Sequence, residues 1–341
     1  MEKKIILFGA GKIGKQYLEV LGYNKVFAFC DNNFSGQTVY GKKVISYEEL
    51  KQIYLEYVVI LSVGSKNMHE ISMQLDADRI PYETFMRRHR QVLIERGEYK
   101  KIENEGIFTD LFVECVKKRS PQVFACVGAA TGGYASIASY YMGEDTKIYL
   151  FEPIPEYVKV IENIFAGDSR VCIVDKAVSN RSGKLELFAT VKPNETSIAH
   201  SFTMDKQQTM FSHEYTNESE TLTHVVETVV LDEFFDETVV DLMLIDIEGA
   251  EVLAIEGMEQ LIAQRKTTFF LEVHEPYINA IRADGMEYIN MVFKKNGYKI
   301  YWCELEEGID YKAGRGGHRL VPSDRIRWEH CIVTPFEWET I

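Results

Sequence analysis

The stretch VFACVGAATGGYAS, residues 123–136, joins an apolar run to a glycine-rich turn. The run is typical of a buried strand, and GYASIASYYM after the turn is typical of a helix. Such a turn presents backbone amides to a nucleotide. The next strand, in KIYLFEP, ends at Glu152, whose carboxylate could hold both hydroxyls of a ribose. An acid beside Pro153 and Pro155 could equally start a helix, stabilised by the helix dipole.

Strands and helices alternate on both sides of this stretch. Before it lie KIILF, KVFAFC and YVVILSV, each followed by a helical pattern, and after it lie VCIVDKAVS, VDLMLID and TTFFLEVHE. Alternation of this kind requires parallel pairing, with helices on both faces of the sheet. The polar segment 190–222 contains Ser197, His200 and His213 and is predicted to be a loop or lid. The sequence therefore predicts an α/β protein with two doubly wound domains.

A second group of polar residues follows two later strands. In IDIEGAE, Asp246 and Glu248 are two residues apart, so they share one face of a strand. LEVHE repeats the arrangement with Glu272 and His274. Open α/β sheets bind ligands at the carboxyl ends of their strands, where these residues would meet. The alternative is that Glu248 or Glu251 caps the helix after Gly249 and that His274 is an ordinary histidine at the sheet edge. No ligand spacing demands a metal, and no metal is expected.

The N-terminus carries its own glycine turn. Gly9, Gly11 and Gly14 form a G-x-G-x-x-G pattern directly after a strand, and Asp31 ends the next strand. These glycines allow a tight turn and a close approach to a pyrophosphate, and the acid can take ribose hydroxyls. A nucleotide or nucleotide-sugar site is one interpretation. A Rossmann-like domain that binds some other ligand, or none, is the alternative.

Charged, weakly patterned sequence separates the two alternations. We predict a Rossmann-like N-terminal domain over residues 1–88, a linker and leading helix over 89–120, and a larger domain over 121–341. A formal net charge of −14 argues against nucleic acid as a partner. No apolar run has the length of a membrane span, and scattered cysteines indicate buried free thiols in a reducing cytoplasm. The oligomeric state stays open, with a homo-oligomer among the options.

The larger domain resembles the FkbM-type methyltransferase family. The resemblance is carried, in the family's order, by FACVGAATGGYAS, YLFEPIPEYVKVIENI, VDKAVSNRSGKLEL, VETVVLDEFF, VDLMLIDIEGAEVLAIEGM and FFLEVHEP. It implies a class I fold dependent on S-adenosylmethionine (SAM), with a seven-stranded sheet. It also implies O-methylation of a hydroxyl on a sugar, glycan or related small molecule, as in polysaccharide biosynthesis. The N-terminal module resembles, more weakly, those found beside sugar-modifying enzymes.

The resemblance also implies roles for individual residues. The turn from Gly128 would wrap the methionine part of SAM, Glu152 would hold the ribose, and Asp175 to Ala177 would lie near the adenine. The full cofactor-binding set is Gly128, Ala129, Ala130, Thr131, Gly133, Tyr134, Glu152, Pro153, Asp175, Ala177 and Asp246. The catalytic candidates are Asp246, His274 and Glu248, with His274 or Asp246 as the base for the acceptor hydroxyl.

The sequence departs from the family at two positions, where Cys126 replaces a usual acid and Ala130 a frequent asparagine. Two other functions therefore stay open. One is an NAD-dependent oxidoreductase acting through the N-terminal domain, although no proton relay accompanies that glycine turn. The other is a non-catalytic protein that binds a nucleotide or sugar.

Overall fold

The computed structural model describes residues 3–191, 198–202, 220–304, 317 and 319–338. The chain divides into two compact units. The first comprises Met1–Glu95 with Glu162–Ser169, and the second comprises Arg96–Ile161 with Arg170–Ile341. The domain boundaries given by the sequence stay predictions, although part of the expected linker is helical.

The first unit has a six-stranded sheet in the order β3-β4-β2-β1-β5-β6, parallel except where β3 meets β4. Its predicted alternation of strands and helices is confirmed. The Ser46 hydroxyl accepts a hydrogen bond from the Glu49 amide at 3.1 Å and so caps the helix that begins at Tyr47. The elements are β1 (Ile5–Phe8), α1 (Lys12–Leu21), β2 (Val26–Cys30), β3 (Thr38–Val39), β4 (Lys42–Ile45), α2 (Tyr47–Ile53), β5 (Val58–Leu61), α3 (Ser65–Ala77), β6 (Glu83–Thr84) and α4 (Phe85–Glu95).

The remaining elements build a large mixed sheet and a small one. They are α5 (Ile107–Arg119), β7 (Val123–Val127), α6 (Gly133–Tyr141), β8 (Lys147–Phe151), α7 (Pro155–Phe165), β9 (Val171–Val174), β10 (Ala177–Val178), β11 (Gly183–Val191), β12 (Ile198–Phe202), β13 (Glu220–Val229), α8 (Leu231–Phe235), β14 (Leu242–Ile245), α9 (Glu251–Glu256), α10 (Glu259–Ala263), β15 (Thr268–Val273), α11 (Glu275–Ile281), α12 (Gly285–Lys295), β16 (Lys299–Glu304), β17 (Arg319–Ser323) and β18 (Glu329–Thr334).

The large sheet has eight strands among the described residues, so the expected seven-stranded sheet is wrong. Its order is β17-β16-β18-β15-β14-β7-β8-β9. The extra strand, β17, pairs antiparallel with β16 at the edge. It contains Pro322, which lacks the amide hydrogen that a central strand needs but is tolerated at an edge. Because of this proline, the sequence of β17 does not show the pattern by which a strand is recognised.

The central strands β7, β14 and β15 are parallel and almost wholly buried, because helices cover both faces of the sheet. This burial explains why their sequences read as continuous apolar runs. All six cysteines are free, as expected; Cys172 is exposed and the other five are buried. No helix in the described ranges is long and apolar enough to cross a membrane.

The segment predicted as a polar loop, 190–222, is partly strand. β11 ends at Val191, β12 spans Ile198–Phe202 and β13 begins at Glu220, and β11 pairs antiparallel with both of the others. With β10 they form a four-stranded sheet in the order β10-β13-β11-β12. Ser197 and His213, suggested as lid residues, lie outside the described residues.

Candidate active site

Four parallel strands deliver polar residues to one edge of the large sheet. Val127 at the end of β7 is in register with Phe151 of β8 and Ile245 of β14, and Ile245 is in register with Leu271 of β15. The residues that follow these positions are therefore neighbours: Gly128, Glu152, Asp246 and Glu272. The carboxyl edge expected from the sequence brings together the predicted acids.

The glycine turn is shaped by a close approach of two strand ends. Gly128 has φ +85°, and a Cβ there would overlap the backbone carbonyl of Asp246. Any side chain at this position would push the two strand ends apart. Ala130 has φ +43°, a left-handed conformation that costs a residue with a Cβ about 1–2 kcal/mol relative to glycine. An asparagine tolerates that conformation better, which gives a physical meaning to the departure at this position.

Glu152 is buried, with 4% of its surface exposed, and its carboxylate binds the turn of its own sheet edge. One oxygen accepts the Ala130 amide at 2.8 Å and the other accepts the Ile154 amide at 2.9 Å. Burial raises the pKa of Glu152 to about 7, although these two hydrogen bonds favour the ionised form. A carboxylate has about four acceptor positions, so each oxygen retains one for a ligand hydroxyl.

A cleft opens beside Glu152 and encloses about 850 Å³, its mouth included. Six residues of the predicted cofactor set line it: Gly128, Ala130, Glu152, Pro153, Ala177 and Asp246. The other five do not: Ala129, Thr131, Gly133, Tyr134 and Asp175.

The apolar wall of the cleft comes mostly from residues that the sequence did not single out. They are Tyr157 of α7, Val178 of β10, Leu185 and Leu187 of β11, and Leu253 of α9. The alternation in KLELF does signal a strand with one apolar face, but nothing local says that this face lines a cleft. A buried carboxylate next to an apolar wall suits a ribose joined to a flat, weakly polar ring.

An imidazole surrounded by acids lies at the same edge. His274 Nδ1 is 2.8 Å from Glu251 Oε1, and its Nε2 is 3.5 Å from Glu248 and 3.8 Å from Glu272. Burial alone would lower the pKa of His274. The hydrogen bond to Glu251 and the surrounding negative charges outweigh burial and raise this pKa to about 10. His274 therefore carries a proton at neutral pH.

Asp246 is the acid most affected by this crowding. Burial, with the charges of Glu272 and Glu248, raises the pKa of Asp246 well above its ordinary range. Ligand atoms of Asp246, Glu248 and His274 all lie within 4.8 Å of one another, a spacing that a divalent cation could bridge. The sequence-based expectation that no metal is needed stays a prediction.

Glu248 is held in an uncommon backbone conformation. Its φ is +52°. The following residue, Gly249, has φ +105°, and a Cβ there would overlap Tyr277, so the position requires glycine. Left-handed residues other than glycine, asparagine and aspartate are uncommon and are concentrated at functional sites. The conformation directs Glu248 to the wall of the cleft, where its side chain is 26% exposed.

The N-terminal glycine turn has a parallel construction. Asp31 accepts hydrogen bonds from the amides of Ala10 at 2.9 Å and Asn33 at 2.8 Å. A Cβ at Gly9 would overlap Ser62 and Val63, and one at Gly14 would overlap the Gly9 carbonyl, whereas Gly11 faces open space. The open side of Gly11 is where a phosphate could approach the backbone.

Comparisons with known proteins follow the same division of the chain. Residues 122–300, more than half of the sequence, match the family described as Methyltransferase FkbM domain, and residues 1–83 match the family described as C2185-like, N-terminal. No curated protein matches the sequence.

Two solved structures are among those that match the chain. A methyltransferase FkbM from Methylobacillus flagellatus is 12% identical with a TM-score of 0.36, and the alignment covers 97% of this chain and 89% of that one. A SAM-dependent O-methyltransferase from Thermotoga maritima is 13% identical with a TM-score of 0.32, covering 66% of this chain and 63% of that one. Because these scores are low, the assignment depends on the family match alone. By that match the chain belongs to the methyltransferase FkbM domain family and is a SAM-dependent methyltransferase.

Proposed function

We propose that the protein transfers a methyl group from SAM to a hydroxyl of a sugar, a glycan or a related small molecule. The observation that carries the proposal is the buried Glu152 carboxylate, which faces a cleft with an apolar wall and retains free acceptor positions. The acceptor positions of the carboxylate fit the ribose hydroxyls of SAM, and the apolar wall fits its adenine.

In this proposal Glu152 accepts hydrogen bonds from the two ribose hydroxyls. Ala177, Val178 and Leu185 supply the apolar surface for the adenine, since they line the same cleft. The turn at Gly128 faces the methionine part of SAM, with Asp246 beside the methyl group. SAM supplies an electrophilic methyl carbon, and the remaining chemistry belongs to the protein.

The protein has to position the acceptor and remove its proton. Positioning supplies much of the rate, because the acceptor oxygen must lie in line with the methyl carbon and water must be kept out. An alcohol is a poor nucleophile until its proton leaves. We assign the proton acceptor to Glu248, whose side chain lines the cleft 3.5 Å from the protonated His274.

The raised pKa values change the roles that the sequence suggests for the two neighbours. His274 and Asp246 are the bases expected from the sequence, yet the pKa of each is raised, which favours the protonated form that cannot accept a further proton. The protonated His274 lies 3.5 Å from Glu248 and holds that side chain in place at the wall of the cleft. The raised pKa of Asp246 favours its protonated form, which can donate a hydrogen bond and so orient the acceptor oxygen.

A carbohydrate acceptor is supported by the chemistry of this edge. Asp246, Glu248 and Glu272 offer several carboxylate oxygens within one cluster, and sugar hydroxyls are good donors to such groups. The N-terminal unit supports the same setting if a nucleotide-sugar binds at its glycine turn, with Gly11 and Asp31 as the contact residues.

Calorimetric titration with SAM, NAD and a uridine diphosphate sugar tests the proposal. We expect micromolar binding of SAM, and transfer of labelled methyl from SAM to a panel of sugars and nucleotide-sugars. Glu248→Gln should lower the rate of transfer at least about 100-fold while retaining SAM binding. Binding of NAD without SAM would overturn the proposal, and so would SAM binding with no O-methylated product from any hydroxyl acceptor tested.

A further inference from the structure

A carboxylate outside the predicted site reaches the glycine turn from the segment before α5. Glu103 lies in this segment and is half-buried. Its carboxylate sits against the first residue of α6, because a Cβ on Gly133 would overlap Glu103 Oε2. The sequence gives no signal for this, since Glu103 belongs to a charged stretch that resembles a linker.

Glu103 also affects the pKa values of residues at the end of β7 and the start of α6. The pKa of the Cys126 thiol is raised first by burial and then by the charges of Asp246, Glu103 and Glu152. The pKa of Tyr134, at the start of α6, is raised by burial and then by Glu103. A thiol that holds its proton brings no charge to the turn.

The methionine part of SAM carries an ammonium group and a carboxylate. The ammonium needs an anionic or carbonyl partner, because leaving it desolvated and unpaired is costly. The carboxylate is favoured near a helix N-terminus. The start of α6 with Glu103 beside it offers both kinds of partner within one turn of chain.

We propose that Glu103 binds the α-ammonium of the methionine part of SAM. This inference rests on the proposed function, because it assigns one further contact to the same cofactor. In the rival interpretation Glu103 only stabilises the N-terminus of α6.

A pair of ligands separates the two interpretations. S-adenosylhomocysteine contains the amino acid part, and 5′-methylthioadenosine lacks it but keeps the adenosine. Calorimetry with Glu103→Gln should show at least about tenfold weaker binding of S-adenosylhomocysteine, from loss of a charge-assisted bond, and unchanged binding of 5′-methylthioadenosine. Glu105→Gln removes the same charge two residues away and should not discriminate between the ligands.

Equal weakening of both ligands by Glu103→Gln would overturn the inference in favour of a structural role, and so would unchanged binding of both. If the unsubstituted protein binds neither ligand, the proposed function itself fails. A second variant tests the contact independently of charge. Gly133→Ala displaces the Glu103 carboxylate, so it should weaken S-adenosylhomocysteine binding alone but add little in a Glu103→Gln background. Full additivity of the two changes would contradict the proposed contact.

Discussion

Replacement of Glu152 by glutamine separates the cost of burying this acid from its use in binding. The pKa of Glu152 rises from 4.5 to about 7 on folding, so the folded state binds its proton more tightly than the unfolded state. At about 1.4 kcal/mol per unit, the ionised group costs the fold about 3 kcal/mol above pH 7. Because the pKa of Glu152 is raised on folding, its contribution to the free energy of unfolding is fully present below pH 4.5 and is lost as the pH rises through 7.

Glutamine removes that cost but introduces another. The carboxylate accepts two backbone amides, from Ala130 and Ile154, whereas an amide side chain has one oxygen and one NH₂ group. One buried N–H therefore loses its acceptor, at about 1–3 kcal/mol. Glu152→Gln should thus destabilise the protein at pH 5 by about that amount, and the two effects should nearly cancel at pH 8.

Urea unfolding at pH 5, 6, 7 and 8 measures the difference between the two proteins. We expect the difference in the free energy of unfolding to shift by about 3 kcal/mol in favour of Glu152→Gln as the pH rises. The matched control is Glu156→Gln, because Glu156 lies four residues further on, in the first turn of α7, and its side chain is 49% exposed. At pH 8, where both proteins are folded, SAM binding by Glu152→Gln should be about 10–100-fold weaker. A pH-independent difference in stability, or unchanged SAM affinity, would refute the reasoning.

Three further outcomes are expected. Ala130→Gly should raise the free energy of unfolding by about 0.5–1 kcal/mol, because relief of the strain at φ +43° is partly offset by the greater entropy of glycine in the unfolded chain, and a decrease measured by urea unfolding would contradict the strain. Glu248→Gln should lower kcat at least about 100-fold with little change in SAM affinity, whereas an unaltered kcat in single-turnover assays would remove Glu248 from the proton transfer. Dialysis against a chelator should leave methyl transfer unchanged; loss of activity that Mg²⁺ restores would instead indicate a cation held by Asp246 and its neighbours.

The central part of the fold and the acids of the site were predictable from the sequence. The apolar runs of β7, followed by Gly128, and of β14, followed by Asp246, are typical of strands buried on both faces of a parallel sheet. Because such strands share one carboxyl edge, the meeting of Asp246 with His274 also follows. The shared strand face predicted for Asp246 and Glu248 is wrong, because β14 ends at Ile245 and Glu248 lies in the turn after it with φ +52°. The edge strand β17 did not follow, because Pro322 interrupts its pattern.

The protonation of the site was beyond the sequence. His274 has an ordinary pKa near 6.5 in isolation, and its rise to about 10 depends on Glu251, which lies 23 residues away and meets it only in the folded chain. The place of Glu103 is hidden in the same way, since only the packing against Gly133 reveals it. Contacts that join distant segments leave no periodic signal.

The cysteines of this chain offer a practical route to observing ligand binding. Burial raises the pKa of the thiols of Cys30, Cys115 and Cys331 to about 12, so they react slowly with maleimides. Cys172, on β9 next to β8, is the exposed exception. The native protein thus provides a single attachment point for a fluorophore, and labelling would require no engineered substitution.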